Sequence, residues 1–194
     1  MTKTPQTFLF SGVPGVGKTS IVKAVAKKFN LPVYNFGDVL FKLVKKNHPK
    51  YKSVDEVRLK LGYEEYESLQ TQAAMEIASH MNEDKIVVSH LAIATKTGFK
   101  PGFPNKVTKI LRPTTVFVIE SPVTEIVTRR LEDKSRQRGN YLEDQVEFHQ
   151  CYNRALAAAY AFSLGHYVYC ISNEQGRMDE SIDQACSVVE TLLK

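Results

Sequence analysis

Apolar residues occur along this chain in two kinds of run. Thr7-Phe8-Leu9-Phe10, Pro32-Val33-Tyr34, Ile86-Val87-Val88, Thr115-Val116-Phe117-Val118-Ile119 and Tyr167 to Ile171 are short and nearly continuous. Such runs read as buried strands. Between them the spacing turns helical. Ile21, Val22, Val25 and Phe29 share one face of a predicted helix over 18–29, with Lys23, Lys27 and Lys28 opposite. Asn30 ends that helix and Pro32 blocks its continuation. Further helices are predicted at about 38–46, over 53–82 as two polar-faced pieces broken near Gly62, and from Ser121 as N-cap and Pro122 to near Leu131. A long helix at about 142–164 and a final one striped by Ile182, Cys186, Val189 and Leu193 complete the pattern. Gly98, Pro101, Gly102 and Pro104 make 95–104 a loop. Strands that alternate with helices predict an α/β fold: a five-stranded parallel sheet with helices on both faces, in three layers. Ligands of such sheets lie beyond the strand carboxyl ends, so chemistry is sought there.

Composition narrows the class without choosing a function. A length of 194 residues predicts one domain, and 43% hydrophobic with 24% charged residues is ordinary globular usage. No segment approaches a membrane span, and the stretch from Met1 to Thr7 has no signal-like apolar run, so a cytoplasmic protein without membrane contact is expected. The net charge of +5 permits an anionic partner, whether nucleotide, RNA or acidic membrane. Cys151, Cys170 and Cys186 lack metal-ligand spacing and are expected to be buried reduced thiols.

One motif changes the picture. Gly12-Val13-Pro14-Gly15-Val16-Gly17-Lys18-Thr19 fits G-x-x-x-x-G-K-[ST] directly between a predicted strand and a predicted helix. Its glycines let backbone N–H groups turn around phosphate oxygens, and the helix N-terminus adds positive potential. This is a P-loop: Gly12 to Thr19, with Ser20 following, is the predicted triphosphate cradle. Lys18 is expected on the β- and γ-phosphates, and Thr19 as a ligand of Mg²⁺. No Asn-Lys-x-Asp base-reading motif exists, and the third strand ends Val88-Ser89-His90 without an acid. These absences disfavour a GTPase switch and a motor ATPase. A small phosphotransferase remains.

The stretch from Arg129 to Arg138 carries five basic residues in ten and follows the helix after the fourth strand. It therefore hangs over the carboxyl edge, and Gly139 and Asn140 give it a hinge. Arginine forks match the equatorial oxygens of a phosphoryl group in transfer, and a closing segment expels competing water. Arg154 on the long helix is placed to point back at the same phosphates. No general base stands out, and an anionic phosphate acceptor needs none, whereas a hydroxyl acceptor does.

With these residues in view, the chain resembles the archaeal-type adenylate kinases nearly end to end. Gly12 to Lys18 is similar to their phosphate loop, and Asn35-Phe36-Gly37-Asp38 to the element that starts their monophosphate site. Asp55-Glu56-Val57-Arg58-Leu59-Lys60 resembles the segment whose arginine grips the AMP phosphate. Gly98-Phe99-Lys100-Pro101-Gly102-Phe103-Pro104 resembles the loop beside the AMP base. Arg129 to Arg138 is similar to their short lid, and Asn153-Arg154-Ala155 to the returning helix. The resemblance implies a P-loop nucleoside monophosphate kinase with a monophosphate-binding insertion at about 36–82 and a lid at about 129–141. It implies catalytic roles for Lys18, Arg130, Arg136, Arg138 and Arg154, and AMP-site roles for Asn35, Gly37, Asp38, Arg58, Gly98, Phe99 and Gly102. Asp38 would hold Mg²⁺ through a water. One departure is Ser89-His90 where the family has Asp-Thr-His, which leaves Thr19, Asp38 and Glu120 to support the metal.

The expected reaction is then ATP and AMP to two ADP, with Mg²⁺ as cofactor and a homo-oligomer, a trimer by family resemblance, as the assembly. A kinase for CMP or UMP is the nearest alternative. A nucleotide-gated RNA or ribosome-assembly factor is a different class; it would spread basic residues over a broad face, whereas the densest basic cluster here is confined to the expected lid.

Overall fold

The fold is that of a computed structural model, which describes residues 4–80, 82–95, 98–133 and 142–194, and of Asp55, Arg58 and Leu59 the backbone alone. The strand β1 (Thr7–Ser11) runs into the glycine loop and helix α1 (Lys18–Phe29). Then come β2 (Val33–Asn35), α2 (Phe36–Asn47), α3 (Val54–Lys60), α4 (Tyr63–Ala78) and β3 (Lys85–Val88). A hairpin of β4 (Ala92–Thr95) and β5 (Gly98–Pro101) leads to α5 (Asn105–Leu111) and β6 (Thr115–Glu120). The chain ends with α6 (Val123–Glu132), α7 (Glu143–Leu164), β7 (Tyr167–Ser172) and α8 (Met178–Leu193).

The main sheet has the order β2-β3-β1-β6-β7, and every pairing in it is parallel. Period-two alternation splits its strands between two cores. Leu9, Val87, Val116 and Val118 pack with residues of α2, α4, α5 and α7. Phe8, Phe10, Phe117 and Ile119 pack with residues of α1, α6 and α8 on the other face. The three-layer architecture is as the alternation predicts. β1 lies between β3 and β6, so its loop opens at the point where the strand order reverses, and this places the phosphate cradle at the centre of the carboxyl edge.

Four local expectations are corrected. The segment 95–104 is not simply a loop. Thr95 and Gly98 to Pro101 belong to an antiparallel hairpin in register Ala92↔Pro101 to Thr95↔Gly98. Ala92 and Ile93 are consecutive and both buried, a run too short to read as a strand beside the glycines and prolines that follow. The short helix α5 was not anticipated, being only 7 residues long. Ser121 does not cap α6: Pro122 has extended backbone (φ −50, ψ 136), the helix opens at Val123, and Ser121 Oγ donates to the Asn173 carbonyl at 2.6 Å. Finally, only Cys186 is buried, while Cys151 and Cys170 are exposed. Cys151 is on the outer face of α7 and Cys170 on β7, the edge strand of the sheet, so neither is enclosed by a second layer.

Candidate active site

The glycine loop closes around its own carbonyls. Lys18, the first residue of α1, is nearly buried, and its Nζ donates to the carbonyls of Gly12 at 3.2 Å and Ser89 at 3.5 Å. His90 Nδ1 lies 2.9 Å from the same Gly12 oxygen. Nδ1 also lies 3.5 Å from Lys18 Nζ; its shorter contact is to the carbonyl, which can only accept, so Nδ1 donates there. The β1–α1 turn and the end of β3 are thus tied at one oxygen. Gly17 has φ +83, and a Cβ there would stand 2.2 Å from Asn173 Nδ2, so glycine is required twice over.

Asn173 was not singled out from the sequence, yet it organises this loop. It is 1% exposed, its Nδ2 donates to the Val16 carbonyl at 2.7 Å, and its backbone N–H donates to the Glu120 carbonyl at 2.7 Å. The available signal was a polar residue just past a strand end, followed by the Glu174-Gln175-Gly176 turn. Two arginines at the end of α6 brace the loop from outside. Arg129 Nη1 donates to the Gly15 carbonyl at 3.3 Å, and its Nη2 to Glu125 at 2.7 Å. Arg130 is buried, with Nε on the Pro14 carbonyl at 2.8 Å.

A cleft of about 1030 Å³ joins this loop to a second wall. Its lining includes residues 13–20, Asn35 to Asp38, Ser53, Tyr66, Ser89, His90, Gly102, Arg129, Asp133 and residues 173–176. Asn35 caps α2, its side chain accepting from the Gly37 N–H at 3.1 Å, which aims the start of α2 into the cleft. Gly102 is held by two bonds: its N–H donates to the Leu91 carbonyl at 2.8 Å, and its carbonyl accepts from buried Gln70 Nε2 at 3.1 Å. Tyr66, also missed in the sequence, lines the cleft with Lys100 Nζ 4.2 Å from its ring centre. Gly98 and Phe99 are not brought to the cleft. Phe99 packs instead against His149, Phe148 and Tyr152 of α7, at 4.8, 5.5 and 5.6 Å between ring centres.

Among the hard oxygen donors on this cleft are the Thr19 hydroxyl and the Asp38 carboxylate, with the Asp133 and Glu174 side chains also on its lining; among the described residues no three His, Cys, Asp or Glu side chains converge as a cage. That donor set fits Mg²⁺, which keeps several waters and is carried by substrate phosphates. Glu120 is not on the cleft lining. Arg154 takes both carboxylate oxygens, Nε at 2.9 Å and Nη2 at 2.8 Å, in a two-bond fork. Arg154 is thus paired with Glu120 and is not on the cleft lining.

Comparison with known proteins fits this geometry. A family model described as an AAA domain matches residues 11–147. The adenylate kinase of Pyrococcus furiosus is 34% identical over 191 residues, covering 96% of each chain. That of Thermoplasma volcanium is 33% identical over 182 residues, covering 94% of this chain and 98% of its own. The chain belongs to the adenylate kinase family. Among solved structures, shikimate kinases from Acinetobacter baumannii and Bacteroides thetaiotaomicron share the fold, with TM-scores of 0.65 and 0.64 at 16% and 18% identity. They cover 99% and 95% of this chain, and 97% and 98% of their own.

Within this adenylate kinase-family chain, the cleft brings together Val13 to Ser20, Asn35, Gly37, Asp38 and Gly102. Gly12 sits behind it as the acceptor for Lys18 and His90. Arg130 holds the loop from the rear, and Arg154 is paired with Glu120. Arg136 and Arg138 lie outside the described residues, as does the Arg58 side chain.

Proposed function

We propose that the protein catalyses reversible phosphoryl transfer from ATP to AMP, giving two ADP. The observation that carries this reading is the single cleft with the phosphate loop on one wall and the Asn35–Asp38 element with Gly102 on the other. Such a cleft is built for two phosphate-bearing substrates. The adenylate kinases of Pyrococcus and Thermoplasma align over nearly the whole chain and supply the base identity. The acceptor is already an anion, so transfer requires alignment and charge neutralisation rather than a base.

In this mechanism backbone N–H groups of the loop seat the donor phosphates. Lys18 leaves the Gly12 and Ser89 carbonyls to follow the transferring group. Thr19 and, through a water, Asp38 would hold Mg²⁺, which would supply charge neutralisation for the phosphates. The segments 36–82 and 129–141 act as the acceptor-binding insertion and the lid. We place the protein in the cytoplasm, as a self-associating chain, a trimer on the family resemblance, without a nucleic-acid partner. Exposed Phe148, Phe162 and Tyr167 supply apolar surface for that association. Light scattering after gel filtration tests it.

A matrix of nucleoside triphosphate donors against monophosphate acceptors tests the reaction. Highest turnover with ATP and AMP is expected; a preference for CMP or UMP would move the protein to another monophosphate kinase class. Arg58→Ala is expected to raise the KM for AMP at least tenfold, about 1.4 kcal/mol, and that for ATP less than twofold. Equal effects on both substrates would remove Arg58 from the acceptor site. Arg136→Ala and Arg138→Ala are each expected to lower kcat about a hundredfold with little change in donor KM, since contacts made only on closure act on the transition state. Near-unchanged kcat in both would leave the stretch as a solvated charge run.

A further inference from the structure

The hairpin of β4 and β5 presents two faces, and its pairing register assigns them. Ala94 lies opposite Phe99, and Ile93 opposite Lys100. Residues directly opposite in an antiparallel pair project to the same side, and neighbours along a strand to opposite sides. Phe99 goes to α7, where it meets His149, Phe148 and Tyr152. Ile93 goes to the cleft, with its side chain against Gly102, another lining residue. Lys100 shares the side of Ile93. It is half-buried, and its Nζ stands 4.2 Å from the ring centre of Tyr66 on α4, which also lines the cleft. The hairpin therefore anchors itself on α7 through Phe99 and delivers the cation beside it in sequence to the cleft.

Charge on the two walls of the cleft is unequal. Among the described residues of the lining the cations are Lys18 and Arg129, and both hold carbonyls of the phosphate loop. On the opposite wall Asn35, Gly37, Ser53 and Gly102 are uncharged, and Asp38 is an acid. A monophosphate seated there needs positive charge from the elements around that wall. The backbone of α3 carries Arg58, and the hairpin carries Lys100. A ring face holds an ammonium through its quadrupole, and an anionic phosphate oxygen holds it through full opposite charge and a charge-assisted hydrogen bond. Transfer from the first partner to the second is downhill.

We propose that Lys100 is an acceptor-binding residue, whose ammonium moves from the Tyr66 ring to the phosphate of a bound nucleoside monophosphate. This rests on the acceptor site proposed above. The contact is to the phosphate, so Lys100 contributes affinity for the acceptor without choosing its base.

Calorimetric titration of AMP and of ATP into the wild type, Lys100→Met and Lys100→Arg tests it. Lys100→Met keeps the apolar stem and removes the charge. It is expected to weaken AMP about tenfold and ATP less than about twofold. Lys100→Arg keeps a cation that rests on an aromatic face, and is expected to bind AMP within about threefold of the wild type. Raising salt from about 50 to about 300 mM is expected to weaken AMP more in the wild type than in Lys100→Met, because the contact removed is one of charge. Should Lys100→Met fail to fold, Lys100→Gln takes its place with the same expectations. Equal loss of AMP and ATP, a loss of AMP that Lys100→Arg does not restore, or the same salt response in both proteins overturns the proposal. Binding is read without turnover, so the outcomes separate. AMP that binds the wild type and Lys100→Met alike removes Lys100 and leaves the reaction standing. A selective loss of AMP in a protein that forms no ADP removes the reaction and keeps Lys100. Absence of any AMP binding overturns both.

Discussion

Lys18→Ala is expected to lower kcat several hundredfold or more, about 3–4 kcal/mol in the barrier, in a protein that still folds. The loss follows from removing a charge that tracks the transferring phosphoryl group. The folding follows from what Lys18 leaves behind. Its Nζ satisfies the Gly12 carbonyl, but His90 Nδ1 donates to that oxygen too, so it keeps a partner in the variant. Position 18 opens α1, where alanine is a good helix former. Lys18→Arg is not expected to restore activity. The ammonium is enclosed by the Gly12 and Ser89 carbonyls, and a planar fork is longer and wider than that enclosure. A coupled ADP assay alongside thermal unfolding checks both halves. A fall in kcat below tenfold would remove the phosphate-loop assignment, and a collapsed melting transition would show that Lys18 is structural instead.

The parts legible in the sequence were those whose signal is local. The run at Thr7 to Phe10, the glycines after it and the stripe of Ile21, Val22 and Val25 are contiguous, and each obeys one period. Strand, cradle and helix could therefore be read together. The wall proposed for the acceptor was legible only by resemblance, because Asn35, Gly37 and Asp38 carry no pattern of their own. What they share is a cap: Asn35 accepts from Gly37 N–H and so starts α2 two residues earlier than hydrophobic spacing suggests.

The parts that were not legible depend on partners far away in sequence. Asn173 holds the Val16 carbonyl across 157 positions, and nothing near residue 173 announces it. Arg154 was read as a phosphate ligand because an arginine over the carboxyl edge has that chemistry. Glu120, on a strand paired beside the loop strand, claims its fork first. Phe99 was placed beside the acceptor base by resemblance, but three aromatic rings of α7 draw it to the other side of the hairpin. In each case the residue type was informative and the destination was set by a contact that only the folded chain creates.

Gly102 shows the same distinction in a form that can be measured. From sequence it is a turn glycine between two prolines, and a turn glycine tolerates alanine wherever φ is ordinary. In the fold its requirement is one of space. A Cβ there would stand 2.0 Å from the His90 carbonyl oxygen and 3.0 Å from two atoms of Ile93. An ordinary contact needs about 3.5 Å, so backbone must move, and it cannot move cheaply. The Gly102 N–H is bonded to Leu91 and its carbonyl to Gln70, which pins the hairpin to β3's continuation on one side and α4 on the other. Gly102→Ala is therefore expected to cost about 3 kcal/mol or more of stability, lowering the melting temperature by roughly 6–12 °C. Because the displaced carbonyl belongs to His90 and the displaced wall faces the acceptor, KM for AMP should rise more than KM for ATP in the fraction that folds. Gly62→Ala is the matched control, since a Cβ there meets nothing within 4 Å and the backbone φ of −59 suits any residue. It should stay within about 0.5 kcal/mol of the parent. If Gly102→Ala melts with Gly62→Ala, the hairpin does not sit against the His90 carbonyl.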